Sequence, residues 1–143
     1  MLVGFPGAGK STFASELAKK NYHVHSHDAI REKFELHELD QIDLIHAILM
    51  QRLKMSMDCG ANIVYDSTNL SKKQRIKFLQ EIKPGYEKIC CILDTPLDIC
   101  IERNSHKQDY TKVDDIEYVI LENIYQKPTY SEGWDLIFTL KGD

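Results

Sequence analysis

The chain lacks any run of about 18 apolar residues, so no membrane-spanning helix is expected. No basic stretch precedes the apolar residues at its N-terminus, which is not the pattern of a signal peptide. Cysteine is scarce: Cys59, Cys90, Cys91 and Cys100 are the whole set, and no two of them form C-x-x-C. Cys90 and Cys91 sit in an apolar run where neighbours point to opposite faces. Buried free thiols in a reducing cytosol are therefore expected, which makes the protein cytoplasmic. Positive charge is short as well. Eighteen Lys and Arg against 22 Asp and Glu leave a net charge of −4, which argues against indiscriminate binding to nucleic acid. A local basic groove remains compatible with that balance. Repeats, low-complexity tracts and linkers are absent, and 143 residues suit one domain with a real core.

Glycine is concentrated at the start, in MLVGFPGAGKST. Gly4 to Ser11 match G-x-x-x-x-G-K-[ST], the P-loop. Backbone N–H groups can surround a triphosphate only where no Cβ intrudes, which accounts for Gly4, Gly7 and Gly9. Pro6, Ala8 and Thr12 complete the stretch expected to touch the nucleotide. The segment STFASELAKK reads as a helix with Phe13, Ala14, Leu17 and Ala18 inward, its N-terminus aimed at the phosphates. Lys10 is expected to reach the β- and γ-phosphates, and the Ser11 hydroxyl to ligate Mg²⁺. The apolar run before the loop is only Met1-Leu2-Val3, shorter than the usual strand of about five residues. That leads us to expect either missing upstream residues or an internal start at Met1.

Apolar runs then alternate with helical patterns. Strands are expected at Tyr22–His25, Asn62–Tyr65, Ile89–Leu93 and Asp135–Leu140. Helices are expected at Leu39–Cys59 (Ile42, Ile45, Leu49, Leu53 and Met57 inward), Ser71–Ile82, Pro96–Arg103 and Asp115–Tyr125. The last should present Ile116, Val119, Ile120 and Ile124 on one face. Such alternation predicts an α/β fold, the three-layer α/β/α sandwich of P-loop NTPases, with a mostly parallel and five-stranded sheet. Ligands bind such sheets at the carboxyl ends of the strands.

The residues just after each strand are therefore the candidates. Asp66 ends its strand in the Walker B position, where a carboxylate holds Mg²⁺ or its water; an N-cap or turn role is the alternative. Thr68 and Asn69 follow it and are candidates to bind the acceptor. Asp28 is a candidate general base for an attacking hydroxyl, and a helix N-cap for Ala29–Phe34 is its alternative. Arg31, three residues on, shares its helical face and could hold an acceptor phosphate, or be a solvated arginine. His23, His25 and His27 alternate, a spacing that allows a metal site or simple packing. Arg103, Lys107 and Lys112 surround the polar stretch RNSHKQDYTK, which reads as a lid at about 103–114.

Taken together, GFPGAGKST, SHDAIR, VYDSTNL, LDTPLDICIERN and KPTYSEGWD resemble the polynucleotide-kinase-like branch of P-loop kinases. The resemblance covers nearly the whole chain. It implies ATP and Mg²⁺ as cofactors, Lys10 and Ser11 on phosphate and metal, and Asp28 as base on the acceptor hydroxyl. It also implies Arg31 on the acceptor's 3′-phosphate and Arg103 in the lid near the nucleotide. The family's second lid arginine falls at Lys107, which keeps the charge but loses the planar fork. N-K-x-D and D-x-x-G are absent, so ATP is expected over GTP as donor. No glycine occurs between Gly85 and Gly133, unlike adenylate- and shikimate-type lids. Three functions stay open on this reading. The first is a kinase for the 5′-hydroxyl of a nucleic acid or nucleotide-like acceptor. The second is a kinase for a metabolite, an antibiotic or an aminoacyl-RNA. The third is an ATP-binding regulatory module or weak ATPase.

Overall fold

A computed structural model describes residues 1–36 and 41–142. Strands β1 (Leu2–Val3), β2 (His23–Ser26), β3 (Ile63–Asp66), β4 (Ile89–Asp94) and β5 (Leu136–Lys141) form one sheet in the order β2-β3-β1-β4-β5. The β2–β3, β1–β4 and β4–β5 ladders are all parallel. Helices α1 (Lys10–Ala18), α2 (His27–Phe34), α3 (Ile42–Asp58), α4 (Lys72–Gln80), α5 (Leu97–Ser105) and α6 (Asp115–Ile124) alternate with the strands, and a 3₁₀ turn (Tyr130–Glu132) precedes β5. The expected α/β class and five-stranded parallel sheet are present. The chain divides into two compact units, Met1–Lys10 with Thr68–Asp143, and Ser11–Ser67.

In the first unit, Val3, Leu70, Leu79, Cys90, Ile92 and Trp134 form a buried cluster, and Ala8, Cys100 and Tyr118 form another. Strands β1 and β4 are almost wholly apolar, as strands covered on both faces must be. Burial pushes the Cys90 and Cys91 thiols up to about 11, so both remain protonated. Arg75 of α4 is fully buried. Its Nε and Nη2 donate to Glu132 at 2.9 and 2.7 Å, its Nη1 to the carbonyls of Asn69 and Leu70, and its Nη2 also to Gln126 O. Trp134 Nε1 donates to the same Glu132 carboxylate at 2.9 Å. Burial alone would raise the Glu132 pKa; these hydrogen bonds outweigh it and hold the carboxyl below its ordinary value.

In the second unit, Ile45, Leu49 and Leu53 of α3 are buried at the expected helical spacing, together with Ile30 and Val64. Ser56 occupies the same stripe and accepts or donates at both His23 Nδ1 (2.9 Å) and His25 Nε2 (2.8 Å), which is why a polar residue is tolerated there.

Several expectations need correction. Ile116, Val119, Ile120 and Ile124 of α6 are exposed, and the helix buries Tyr118 instead. Periodicity identified the stripe but not which stripe is covered. Ala18 and Ile42 are exposed rather than inward, and so is the Cys59 thiol. Of the expected helix Leu39–Cys59, Leu39 and Asp40 lie outside the described residues.

Candidate active site

The P-loop of the first unit is shaped by backbone geometry. Gly7 and Gly9 have φ of 84° and 97°, a region that L side chains rarely adopt. A Cβ at Gly7 would also be driven into the Cys100 carbonyl oxygen. The loop is pinned on several sides. Gly4 N donates to Thr68 O at 3.0 Å, the Tyr118 hydroxyl to Pro6 O at 2.8 Å, and the Thr95 hydroxyl to Ala8 O at 2.9 Å. Lys10 is buried and curls back so that Nζ donates to Phe5 O at 2.8 Å. Arg103 donates from Nη1 to Gly7 O at 3.3 Å. Burial raises the Cys100 pKa, and the charges of Lys10 and Arg103 oppose it.

Asn69 is buried, with φ of 51°, and its Nδ2 donates to Leu2 O at 2.7 Å. Its side chain is thus used to tie the segment after β3 to β1, while Thr68 contributes its carbonyl to the loop. In the lid stretch, Lys107 Nζ donates to Thr111 O at 3.5 Å and Lys112 Nζ to Ser105 O at 3.3 Å. Buried Asn104 closes the base of that stretch, donating to Val113 O (2.7 Å) and accepting from Val113 N (3.0 Å). The asparagine of E-R-N therefore has a structural reason to be there.

In the second unit, the Ser11 hydroxyl donates to Asp66 Oδ2 at 3.0 Å. Asp66 is buried at the carboxyl end of β3. Thr12, next along α1, is exposed. Ser26, not Asp28, caps α2: its Oγ accepts from Ala29 N at 3.2 Å. Asp28 lies one residue inside the first turn and pairs with Arg31 Nη1 at 3.1 Å, as the three-residue spacing predicts.

The three alternating histidines do not share a site. His23 and His25 meet at Ser56, while His27 begins α2 and lies beside His46 of α3. Among the described residues, no group of three His, Cys, Asp or Glu side chains could hold a metal. Arg75, Asn104 and Ser26 were not singled out from sequence. Ser26 carried a signal as a capping residue close before a helix, and Asn104 as the last residue of the LDTPLDICIERN motif.

Each unit, taken by itself, holds groups of the kind that a nucleotide and its metal need: phosphate donors in the first and metal donors in the second. Two glycines at positive φ leave the loop's N–H groups uncovered by side chains, and the Ser11–Asp66 oxygen pair is the hard donor set that suits Mg²⁺. A parallel sheet in the order β2-β3-β1-β4-β5 with such a loop after β1 defines a P-loop fold of the kinase type. The family model AAA_33, an AAA domain, matches residues 1–124, and the chain belongs to that P-loop kinase family.

Among curated relatives, it is 26% identical over 148 residues to the "Putative bifunctional polynucleotide phosphatase/kinase" of Acanthamoeba polyphaga mimivirus. That match covers 98% of this chain and 32% of the relative's length. Among solved structures, a "putative kinase" from Chloroflexus aurantiacus superposes with a TM-score of 0.75 at 15% identity, covering 98% of this chain and 82% of the other. The APS kinase CysC of Mycobacterium tuberculosis follows at a TM-score of 0.65 and 22% identity, covering 96% and 85%. Both structural likenesses concern the fold.

Proposed function

We propose that the chain is an ATP- and Mg²⁺-dependent kinase that moves the γ-phosphate to a hydroxyl, most specifically the 5′-hydroxyl of a nucleic acid or nucleotide-like acceptor. The observation that carries this reading is the Asp28–Arg31 pair. Both side chains are accessible in the first turns after β2, and capping is left to Ser26. The viral relative named for polynucleotide kinase activity supports the same acceptor class.

On this reading the loop N–H groups from Gly4 to Gly9 and the Lys10 ammonium hold the nucleotide's phosphates. Ser11 and Asp66 would hold Mg²⁺, which when bound would neutralise phosphate charge. Asp28 orients the acceptor hydroxyl and takes its proton as the new P–O bond forms. The bond from the γ-phosphorus to the bridging oxygen breaks, and ADP leaves with that electron pair. Arg31 holds a phosphate on the acceptor, and Arg103 and Lys107 attend the transferring group from the lid stretch. Thr68 and Asn69 support the site through backbone and buried contacts rather than through free side chains.

The test uses γ-labelled ATP with Mg²⁺ and a panel of 5′-hydroxyl oligonucleotides, 3′-nucleotides, aminoacyl-RNA and small alcohols. Label on a 5′-hydroxyl acceptor, abolished by Lys10→Ala and Asp28→Ala, is expected. Label only on a small alcohol would move the protein to metabolite kinases. Free phosphate alone would leave a nucleotide hydrolase or regulatory module.

A further inference from the structure

The second unit carries a row of aromatic rings that starts in its core, at Tyr65, and runs outward through two histidines that the transfer step does not use. His27, the first residue of α2, lies with its ring nearly parallel to that of His46 on α3: the interplanar angle is 11° and the centroids are 5.7 Å apart. Tyr65 of β3 meets His27 edge-on at 6.0 Å and 66°. Tyr65 is buried, His27 half-buried and His46 exposed, so the row is closed at one end and open at the other. The nearest ring nitrogens of the two histidines are 3.4 Å apart, at the long limit of a hydrogen bond, so that contact alone does not hold the pair. Their placement comes from the packing of α2 on α3, which the Arg52 guanidinium over the Phe34 ring, at 5.3 Å, also ties.

The row stands beside the acceptor residues. His27 directly precedes Asp28, and its proton affinity responds to the charges of both Arg31 and Asp28. Burial comes first among the causes that bring the His27 pKa down to about 4, with His46 and Arg31 adding to it and Asp28 opposing. His27 therefore presents a neutral ring at neutral pH, an uncharged π-face rather than a further cation.

We infer that the His27–His46 stack, open at His46, is a platform for the planar base of the acceptor. The acceptor is then a base-bearing nucleoside 3′-phosphate or a strand's 5′-terminal nucleotide, not a sugar or polyol. This rests on the kinase reading above and deepens it. Asp28 answers a hydroxyl, Arg31 a phosphate and the histidine row a flat ring, and these are the three parts of such a nucleotide. Stacking on aromatic rings tolerates any base, so the platform selects for the presence of a base and not for its identity.

The experiment compares wild type, His46→Ala and His46→Phe with two acceptors, 3′-AMP and its abasic counterpart, 1-deoxyribose 3-phosphate. Transfer kinetics are measured together with NMR of the His46 ring protons. We expect His46→Ala to raise the KM for 3′-AMP about tenfold with kcat unchanged, the size and signature of lost stacking. The rise should be confined to the base-bearing acceptor, and His46→Phe should restore it. In wild type, 3′-AMP should move the His46 ring protons upfield and the abasic compound should not. Equal KM changes for the two acceptors, or no rescue by phenylalanine, would overturn the platform and leave the kinase reading intact. An upfield shift without any phosphate transfer would keep the platform and overturn the kinase reading. Neither shift nor transfer would overturn both.

Discussion

Two arginine–carboxylate pairs in this molecule have the same chemistry and opposite uses. Arg75 and Glu132 are separated by 57 residues, and both side chains are 0% exposed. The guanidinium donates to both carboxylate oxygens and to three backbone carbonyls, two of them in the Asn69–Leu70 segment after β3. Arg31 and Asp28 sit three residues apart on one helix, with side-chain exposures of 25% and 56%. A buried pair that also binds carbonyls fixes backbone; an accessible pair of similar length contributes little to the fold and can exchange its contact for a ligand. The comparison thus separates residues that shape the first unit from a pair in the second whose side chains stay accessible.

The sharpest way to break that contrast is Arg75→Ala. It leaves the Glu132 carboxylate buried without its partner, and three carbonyls lose their donor. A loss of about 3–5 kcal/mol is expected in urea unfolding. Arg75→Met combined with Glu132→Leu should lie closer to wild type than Arg75→Ala, because no charge is then stranded. If Arg75→Ala unfolds like wild type, the pair does not hold the segment after β3.

A smaller effect is expected at Gly7. Alanine there must adopt φ near 84° and meet the Cys100 carbonyl as well. Strain of about 1–2 kcal/mol from the backbone alone is expected, plus displacement of α5 from the loop. ATP affinity should therefore fall together with stability. Gly60 provides the control, since its φ is 70° but a Cβ there meets nothing within 4 Å. Gly60→Ala should cost about 1 kcal/mol and leave ATP binding unchanged. Equal effects of the two substitutions on ATP affinity would remove the Cys100 contact from the explanation.

The acid limb of stability should report the second unit. His27 titrates near 4 in the folded protein against an ordinary 6.5, so the unfolded chain binds the proton more readily. Stability is then full above about pH 6.5 and is lost as pH falls toward 4, on the order of 2 kcal/mol after allowance for the ring's partial exposure. His27→Gln should flatten the slope of unfolding free energy between those pH values. An unchanged slope would show that the ring is not held neutral by its surroundings.

These pairs also show what was legible in the sequence. The P-loop could be read because glycines, a lysine and a serine at fixed spacing follow an apolar run, and all of that signal is local. The place of Asp66 could be read because it ends such a run, and the Asp28–Arg31 contact because the two lie one helical turn apart. Arg75 could not: in KKQRIKFLQ it resembles any solvated helix arginine, and its partner lies 57 residues on. The motif KPTYSEGWD resembled the family without a visible reason. The structure supplies one, since the Thr129–Glu132 capping box presents Glu132 to Arg75 and Trp134. The capping role assigned as Asp28's alternative went to Ser26 because the first turn begins two residues earlier than expected. On α6, alternate stripes of apolar residues competed for the interior, and only the packing partner decides between them.

The smallest change in stability and the most selective change in activity are both expected at Arg31. Arg31→Ala removes one accessible ion pair, so unfolding free energy should move by no more than about 0.5 kcal/mol. If Arg31 holds a phosphate on the acceptor, the KM for 3′-phosphorylated acceptors should rise about tenfold or more, while acceptors without that phosphate should show no such rise. Arg31→Lys should recover only part of the loss, because an ammonium keeps the charge but cannot bind two phosphate oxygens in one plane. Steady-state kinetics with 3′-AMP and adenosine would decide it. A rise shared by both acceptors would make Arg31 a partner that positions Asp28 through their 3.1 Å contact rather than a reader of phosphate.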